Sequence, residues 1–137
     1  MLYDDQNIFA RIIRNELPAI KVYEDEQVLA FMDIMPQAEG HTLVIPKTPA
    51  ITLLDLPPDA AAYTIQIVQK IAQAMKVALD VQGIVLMQLS GASAGQTVPH
   101  VHFHLIPSSV HELGKHALCM GDQERIKALA EKIKAEL

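Results

Sequence analysis

From Pro99 to Pro107 polar and apolar side chains alternate: His100, His102 and His104 are separated by Val101, Phe103 and Leu105. A period of two belongs to a half-buried strand, whose successive side chains point to opposite faces. The sequence therefore predicts one strand with an imidazole face and an apolar face. Other segments carry a helical period instead. After Pro57-Pro58-Asp59, the residues Ala61, Ile65, Val68, Ala72, Met75 and Leu79 line one face of a long amphipathic helix, with Gly83 at its exit. Asp122 is placed to cap a last helix in which Ile126, Leu129, Ala130, Ile133 and Leu137 fall at i, i+3, i+4 spacing. A short helix opens the chain: Asn7 caps it, Ile8, Phe9, Ile12 and Ile13 recur at helical spacing, and Pro18 ends it.

Between these helices lie further strands. Ile20 to Glu24 and Val28 to Ile34 flank the polar turn Glu24-Asp25-Glu26-Gln27, a hairpin pattern. The loop Met35 to Gly40 leads into a third strand, His41 to Pro46, and Ile84 to Leu89 is the fourth, so that the histidine segment is the fifth. Ser108 to Gly121 has no clear period and reads as an irregular connection, with His111 and His116 facing solvent. Strands joined mostly by short turns, with helices between and after them, predict an α+β fold: a five-stranded antiparallel sheet with helices packed to one side. No repeat or linker divides residues 1–137, so one domain is expected.

Half of the 137 residues are apolar, enough for a real core and against disorder. A formal net charge of −5 argues against a surface for a nucleic acid polymer, which normally carries a basic excess, but leaves a single nucleotide open. Cys119 is the sole cysteine, which excludes an intrachain disulfide and a cysteine-rich metal site. The N-terminal stretch lacks a basic region followed by an apolar core, and no apolar run approaches the ~18–20 residues of a membrane span. A cytoplasmic protein without membrane association is expected.

The histidine alternation admits three readings. One or more imidazoles could be ordinary hydrogen-bonded strand residues. A metal could be bound, but at ~3.4 Å per residue neighbouring histidines stand ~7 Å apart and the outer pair ~14 Å apart. With Zn–N bonds of ~2.0–2.1 Å, two neighbours such as His100 and His102 could share an ion and three hardly could. Nucleophilic catalysis uses all three: a central imidazole attacks while its neighbours organise protons and charge. The preceding run Ser90-Gly91-Ala92-Ser93-Ala94-Gly95-Gln96-Thr97 favours that reading. It is able to turn tightly and present backbone N–H groups to an anion such as a phosphate, although a plain inter-strand turn has the same composition.

At these residues the chain resembles a known family. Gly95-Gln96-Thr97-Val98-Pro99-His100-Val101-His102-Phe103-His104 is similar to the signature of the histidine triad (HIT) family. Ile8 to Ala19, and Asp33-Ile34-Met35-Pro36-Gln37-Ala38-Glu39-Gly40-His41-Thr42-Leu43-Val44-Ile45-Pro46-Lys47, resemble its histidine triad nucleotide-binding branch. The resemblance covers residues 7–107 and leaves a C-terminal helical tail, 108–137. It implies the same α+β fold paired into a homodimer, and a nucleotide hydrolase or transferase that passes through a nucleotidyl-histidine intermediate. His102 is then the expected nucleophile, with His100 and His104 supporting its protonation state and the charged phosphate, and His41 as an additional histidine from an earlier strand. Gln96 and Thr97 are expected to donate to phosphate oxygens, Val98 to present its backbone there, Asp33 to bind ribose, and Phe9, Ile12, Phe31 and Ile34 to form a slot for the base.

The resulting expectation is an enzyme cleaving nucleoside 5′-phosphoramidates or related nucleotide conjugates, without metal or other cofactor, acting on a purine mononucleotide or its conjugate. The alternatives are a dinucleoside polyphosphate hydrolase and a purine nucleotide-binding regulatory module with little turnover. His104 argues against the uridylyltransferase relatives, which carry glutamine at that position. Two departures stand out: Leu89 replaces the asparagine usual seven residues before the glutamine, implying a lost contact to the nucleotide, and Asn7 and Ala10 replace the Cys-x-x-Cys pair that implies a structural zinc in some members.

Overall fold

The computed structural model describes residues 2–113 and 120–137; His116 and Cys119 lie outside the described residues. In chain order the elements are α1 (Ile8–Ile13), β1 (Lys21–Glu24), β2 (Val28–Met32), β3 (Thr42–Pro46), α2 (Pro58–Leu79), β4 (Val85–Met87), a 3-10 turn (Ala92–Ala94), β5 (Phe103–Ile106) and α3 (Gln123–Ala135). The five strands form one antiparallel sheet in the order β1-β2-β3-β5-β4. The expected α+β fold is thus present. Among the described residues no helix is long and apolar enough to cross a membrane.

Both predicted caps form. The Asn7 carboxamide oxygen accepts the Ala10 N–H at 2.9 Å, and the Asp122 carboxylate accepts from Glu124 and Arg125. Termination differs from the expectation. Asn15, at φ 62°, turns the chain out of α1 before Pro18 is reached, and Asp80, at φ 51°, ends α2 before Gly83. Asparagine and aspartate tolerate the left-handed region better than most side chains, which suits them to these stops.

Every residue of β2 and β3 is buried, so these central strands show no alternation of exposure. Their alternation is instead between two covered faces. Val28, Ala30, Met32 and Val44 join Phe103, Leu105 and the inner sides of α2 and α3 in the larger core. Leu29, Phe31, Leu43 and Ile45 pack with Phe9 and Ile12 of α1 on the opposite face. The helices therefore cover both faces rather than one, because α1 carries its own apolar pair to the second face.

The inner stripe of α2 also differs from the prediction: Thr64, Ile67, Val68, Ile71, Ala74 and Met75 are buried, while Ile65 is 44% exposed. Two apolar rows share Val68 and Met75, and the row through Ile67 and Ile71 faces the sheet. On α3 the predicted Ile126, Leu129, Ala130 and Ile133 are all buried, with Leu137 lying beyond the helix end.

Ile71 is fully buried at the centre of the larger core. Ile71→Ala is expected to lower unfolding free energy by roughly 2–5 kcal/mol, the usual range for loss of a large aliphatic side chain with partial collapse of the cavity; chemical denaturation of both proteins measures it.

Candidate active site

Strand parity assembles the site on the α1 face. Residues 29 and 31 of β2 face α1, and continuing that count places Asp33 on the same side. On β3, Leu43 and Ile45 face α1, which places His41 there too. On β5, Phe103 and Leu105 go to the opposite core, which leaves His104 on the α1 side. The register then lines Phe31, Leu43, His104 and Met87 across the sheet as direct neighbours. The Asp33 N–H donates to the His41 carbonyl at 3.0 Å, bringing the carboxylate alongside the second histidine.

The histidine segment is a strand only from Phe103 onward; His100, Val101 and His102 precede it in irregular backbone. The expected flat row of three imidazoles is consequently absent. The chain bends there because the Val101 N–H is donated to the carbonyl of Ala50 and Val101 is buried in the larger core. His102 and His104 come close, with ring centroids 4.9 Å apart, while His100 is directed away and is almost fully buried.

Backbone groups decide where the protons sit. The carbonyl of Pro46 lies 2.8 Å from His100 Nε2 and can only accept, so the His100 proton is on Nε2 and Nδ1 receives the Tyr3 hydroxyl. The carbonyl of His100 lies 2.7 Å from His102 Nδ1, which places the His102 proton on Nδ1 and leaves the Nε2 lone pair available. His102 also meets the Phe9 ring edge-on at 4.9 Å. At His41 the logic reverses. The Gln37 N–H donates to His41 Nδ1 at 3.0 Å, so the His41 proton is on Nε2, which lies 2.9 Å from His104 Nδ1 and 3.5 Å from the Asp33 carboxylate. His104 therefore accepts at Nδ1 and carries its own proton on Nε2.

Burial favours the neutral form of His41, His100 and His102. Desolvation pushes His41 down to about 4, with help from His102, and desolvation likewise lowers His100 and His102 against the opposing pull of their carbonyl partners. Asp33 is shifted the other way: desolvation raises it, partly offset by the Met35 N–H that it accepts.

Ligand atoms of Asp33, His41 and His104 all lie within 4.8 Å of one another, a two-histidine, one-carboxylate grouping. It differs from the His100–His102 pair considered from the sequence, whose rings are held by separate carbonyls. A metal at this grouping would need the His41 Nε2 lone pair, which requires a proton on Nδ1 directly facing the Gln37 N–H. Two opposed donors at 3.0 Å do not fit, so the trio suits a directed hydrogen-bond chain better than a cation.

A cavity of about 420 Å³ opens over these groups. Of the residues expected from the sequence, Phe9, Ile12, Phe31, Asp33, Ile34, Thr97, Val98, His102 and His104 line it. His41 and His100 stand behind the wall. Gln96 does not reach it in this geometry: its amide nitrogen donates to the carbonyls of Ile51 and Val98, and its oxygen accepts the Gly91 N–H. Gln96 is thus a brace for the loop. The loop itself is a closed turn, with Gly91 and Gly95 at φ 100° and 108° and the N–H groups of Ala94, Gly95 and Gln96 used internally. Its contribution to the wall comes from Gly95, Thr97 and Val98.

Leu89 lies past the end of β4, half-buried, and is not on the cavity wall, so the expectation that it faces the nucleotide is not met. Leu43, Pro18, Ala19 and Met35 also line the cavity. Of these, Leu43 was accessible to a parity count from His41.

Comparison with known proteins accords with this geometry. Residues 14–111 match the model of the HIT domain family, and the chain belongs to that family. Over its whole length it is similar to a HIT-like protein from Bartonella henselae, described as involved in cell-cycle regulation and solved with an unknown ligand, at 48% identity and TM-score 0.92, with 100% of both chains covered. A zinc-bound histidine triad family protein from Mycobacterium smegmatis aligns at 35% identity and TM-score 0.82, over 96% of this chain and 92% of that one. The adenosine 5′-monophosphoramidase of Schizosaccharomyces pombe is 35% identical over 136 residues, covering 95% of this chain and 97% of the relative.

The lowered histidines set an acid limit to stability. Each binds fewer protons folded than unfolded between its native pKa and ~6.5, so stability rises with pH across that window and is lost as pH falls through it. For His41, with a native value of about 4, the loss is on the order of 3 kcal/mol. Asp33 opposes this in sense, because its raised pKa favours the folded state on acidification. Urea unfolding at intervals from pH 7 to pH 4 is expected to show a declining midpoint, and the decline is expected to be shallower in His41→Asn.

Proposed function

We propose that the protein hydrolyses nucleoside 5′-phosphoramidates or closely related mononucleotide conjugates through a nucleotidyl intermediate on His102. The observation that carries this reading is the placement of His102: Nδ1–H is held by the His100 carbonyl at 2.7 Å while the ring lines the cavity, leaving an unprotonated Nε2 as nucleophile. The phosphoramidase relative in S. pombe supports the substrate class.

In the first step Nε2 attacks phosphorus, a P–N bond to His102 forms, and the bond to the leaving amine breaks with its electron pair on the amine, which takes a proton from solvent water as it departs. Water then attacks the same phosphorus, releases His102 with its lone pair restored, and returns the proton used in the first step. Throughout, Nδ1–H stays on the His100 carbonyl, so the imidazolium-like intermediate is stabilised in place. His104, with its proton on Nε2, and the Thr97 hydroxyl serve as aimed donors for the charge on the phosphoryl oxygens. Phe9, Ile12, Phe31 and Ile34 supply an apolar slot for a purine, and Asp33 offers acceptors to a ribose.

His102→Ala is expected to abolish turnover of adenosine and guanosine phosphoramidates while retaining mononucleotide binding, and mass spectrometry of the quenched wild-type reaction is expected to show a nucleotidyl adduct on His102. Substantial hydrolysis by His102→Ala would rule the mechanism out. Including diadenosine polyphosphates in the same panel identifies the preferred leaving group.

The proposed working unit is a symmetric homodimer. β4 is an edge strand with Leu86 48% exposed, and α2 exposes Ile65 and Val77, apolar surface beside an unpaired strand edge of the kind that pairing protects. Sedimentation at micromolar concentration is expected to give twice the chain mass; a monomer alone would count against it.

A further inference from the structure

The C-terminal helix lies outside the residues matched to the family, yet its leading edge is fastened to the loop that feeds the site. The Gly121 N–H donates to the Ile34 carbonyl at 3.1 Å. Arg125 reaches Glu39 at 3.1 Å. Gly121 also packs so closely that a Cβ there would stand 2.9 Å from Pro36 Cγ and 3.1 Å from Pro36 Cδ. Distances under 3.0 Å force something to move, and the Pro36 ring, closed on its own backbone, cannot swing aside as a free side chain would. A displacement of Pro36 passes directly to Gln37, whose N–H sits on His41 Nδ1. Behind this contact is a second cavity of about 120 Å³, bordered by Pro36, Glu39, His41, Gly121 and Arg125, so the loop is not backed by solid packing. Contact with the C-terminal segment therefore adds to the hold of the loop's own hydrogen bonds.

We propose that Gly121, aided by Arg125, is a positioning residue for the reacting histidines: it seats Pro36 so that the Gln37 N–H stays on His41 and the hydrogen-bond chain from His41 to His104 keeps its direction. If Gln37 moves off, Nδ1 of His41 no longer has a donor opposite it, and the proton is free to sit on either ring nitrogen. His41 then ceases to be a fixed donor to His104, and His104 loses the acceptor role that keeps its own proton on Nε2 toward the cavity. Gly121 touches none of the reacting atoms and acts only through the loop. The proposal rests on the reading of His102 and His104 as the reacting pair, but its first measurement does not require turnover.

That measurement is nitrogen-15 NMR of the imidazoles, with His41 assigned by its loss in His41→Asn. In the wild type His41 is expected to show a protonated Nε2 and a bare Nδ1. In Gly121→Ala those two signals are expected to move toward one another as the tautomers mix, and kcat on the best phosphoramidate is expected to fall on the order of tenfold or more, with a smaller change in KM. Adding Pro36→Ala to Gly121→Ala removes the ring carbons that the new methyl meets, and is expected to restore both the His41 signals and kcat; a loss of activity from general damage to the fold would not be restored.

Unchanged His41 signals in folded Gly121→Ala would overturn the proposal, as would failure of the double variant to restore them. Should Gly121→Ala not fold, Arg125→Ala, which removes only the exposed bridge to Glu39, is expected to shift the same signals in the same direction, and unaltered signals there would overturn the proposal equally. A wild type with the expected His41 tautomer but no turnover of any phosphoramidate would overturn the proposed function alone.

Discussion

Everything at this site depends on main-chain groups telling imidazoles which nitrogen keeps the proton. A neutral histidine is donor and acceptor at once, and its two tautomers are close in energy in water. Here the carbonyls of Pro46 and His100 and the N–H of Gln37 remove that ambiguity at His100, His102 and His41 respectively. Because the imidazoles are shielded from water, each backbone partner is both more strongly felt and harder to replace. The direction of the chain follows: one unprotonated nitrogen at His102, and one donor at His104.

The sheet makes those assignments rigid. β2 and β3 are covered on both faces, so neither can slip by one residue without exchanging the contents of two apolar layers. Register is therefore fixed by Leu29, Phe31, Leu43 and Ile45 on one side and by Val28, Ala30, Met32 and Val44 on the other. Asp33 and His41 sit at the ends of strands whose positions are determined by this packing, and β5 delivers His104 beside them.

How much of this could be read from the chain divides along a physical line. The alternation around Phe103 and Leu105 placed His104, and the resemblance to the HIT signature pointed to most of the cavity wall, because side-chain identity records both. The bend that takes His100 away from His102 was not legible, since it arises from a hydrogen bond between Val101 and Ala50, fifty-one residues apart. Nor was the role of Gln37, where the contributing atom is an N–H that nearly every residue possesses. Gln96 illustrates the converse: its side chain was expected to donate to phosphate, but a carboxamide serves equally well as a ligand donor or as a brace, and its three partners here make it a brace. The α2 stripe was ambiguous because Ala61, Ile65 and Ala72 compete with Ile67 and Ile71 for the same face.

The Tyr3 contact also bears on how the protein withstands its chemical surroundings. In relatives with a Cys-x-x-Cys pair, resemblance implies that this end of the chain is tied down by thiolates and an ion. Here Asn7 and Ala10 occupy those places, and a phenol hydroxyl reaching the imidazole of His100 ties the N-terminal arm to the site from 97 residues away. Thiolate clasps open when sulfur is oxidised or when a chelator withdraws the ion. A phenol-to-imidazole clasp contains neither a sulfur nor an ion, so this tie on His100, whose carbonyl in turn holds His102, does not itself depend on a reduced thiol or a bound metal.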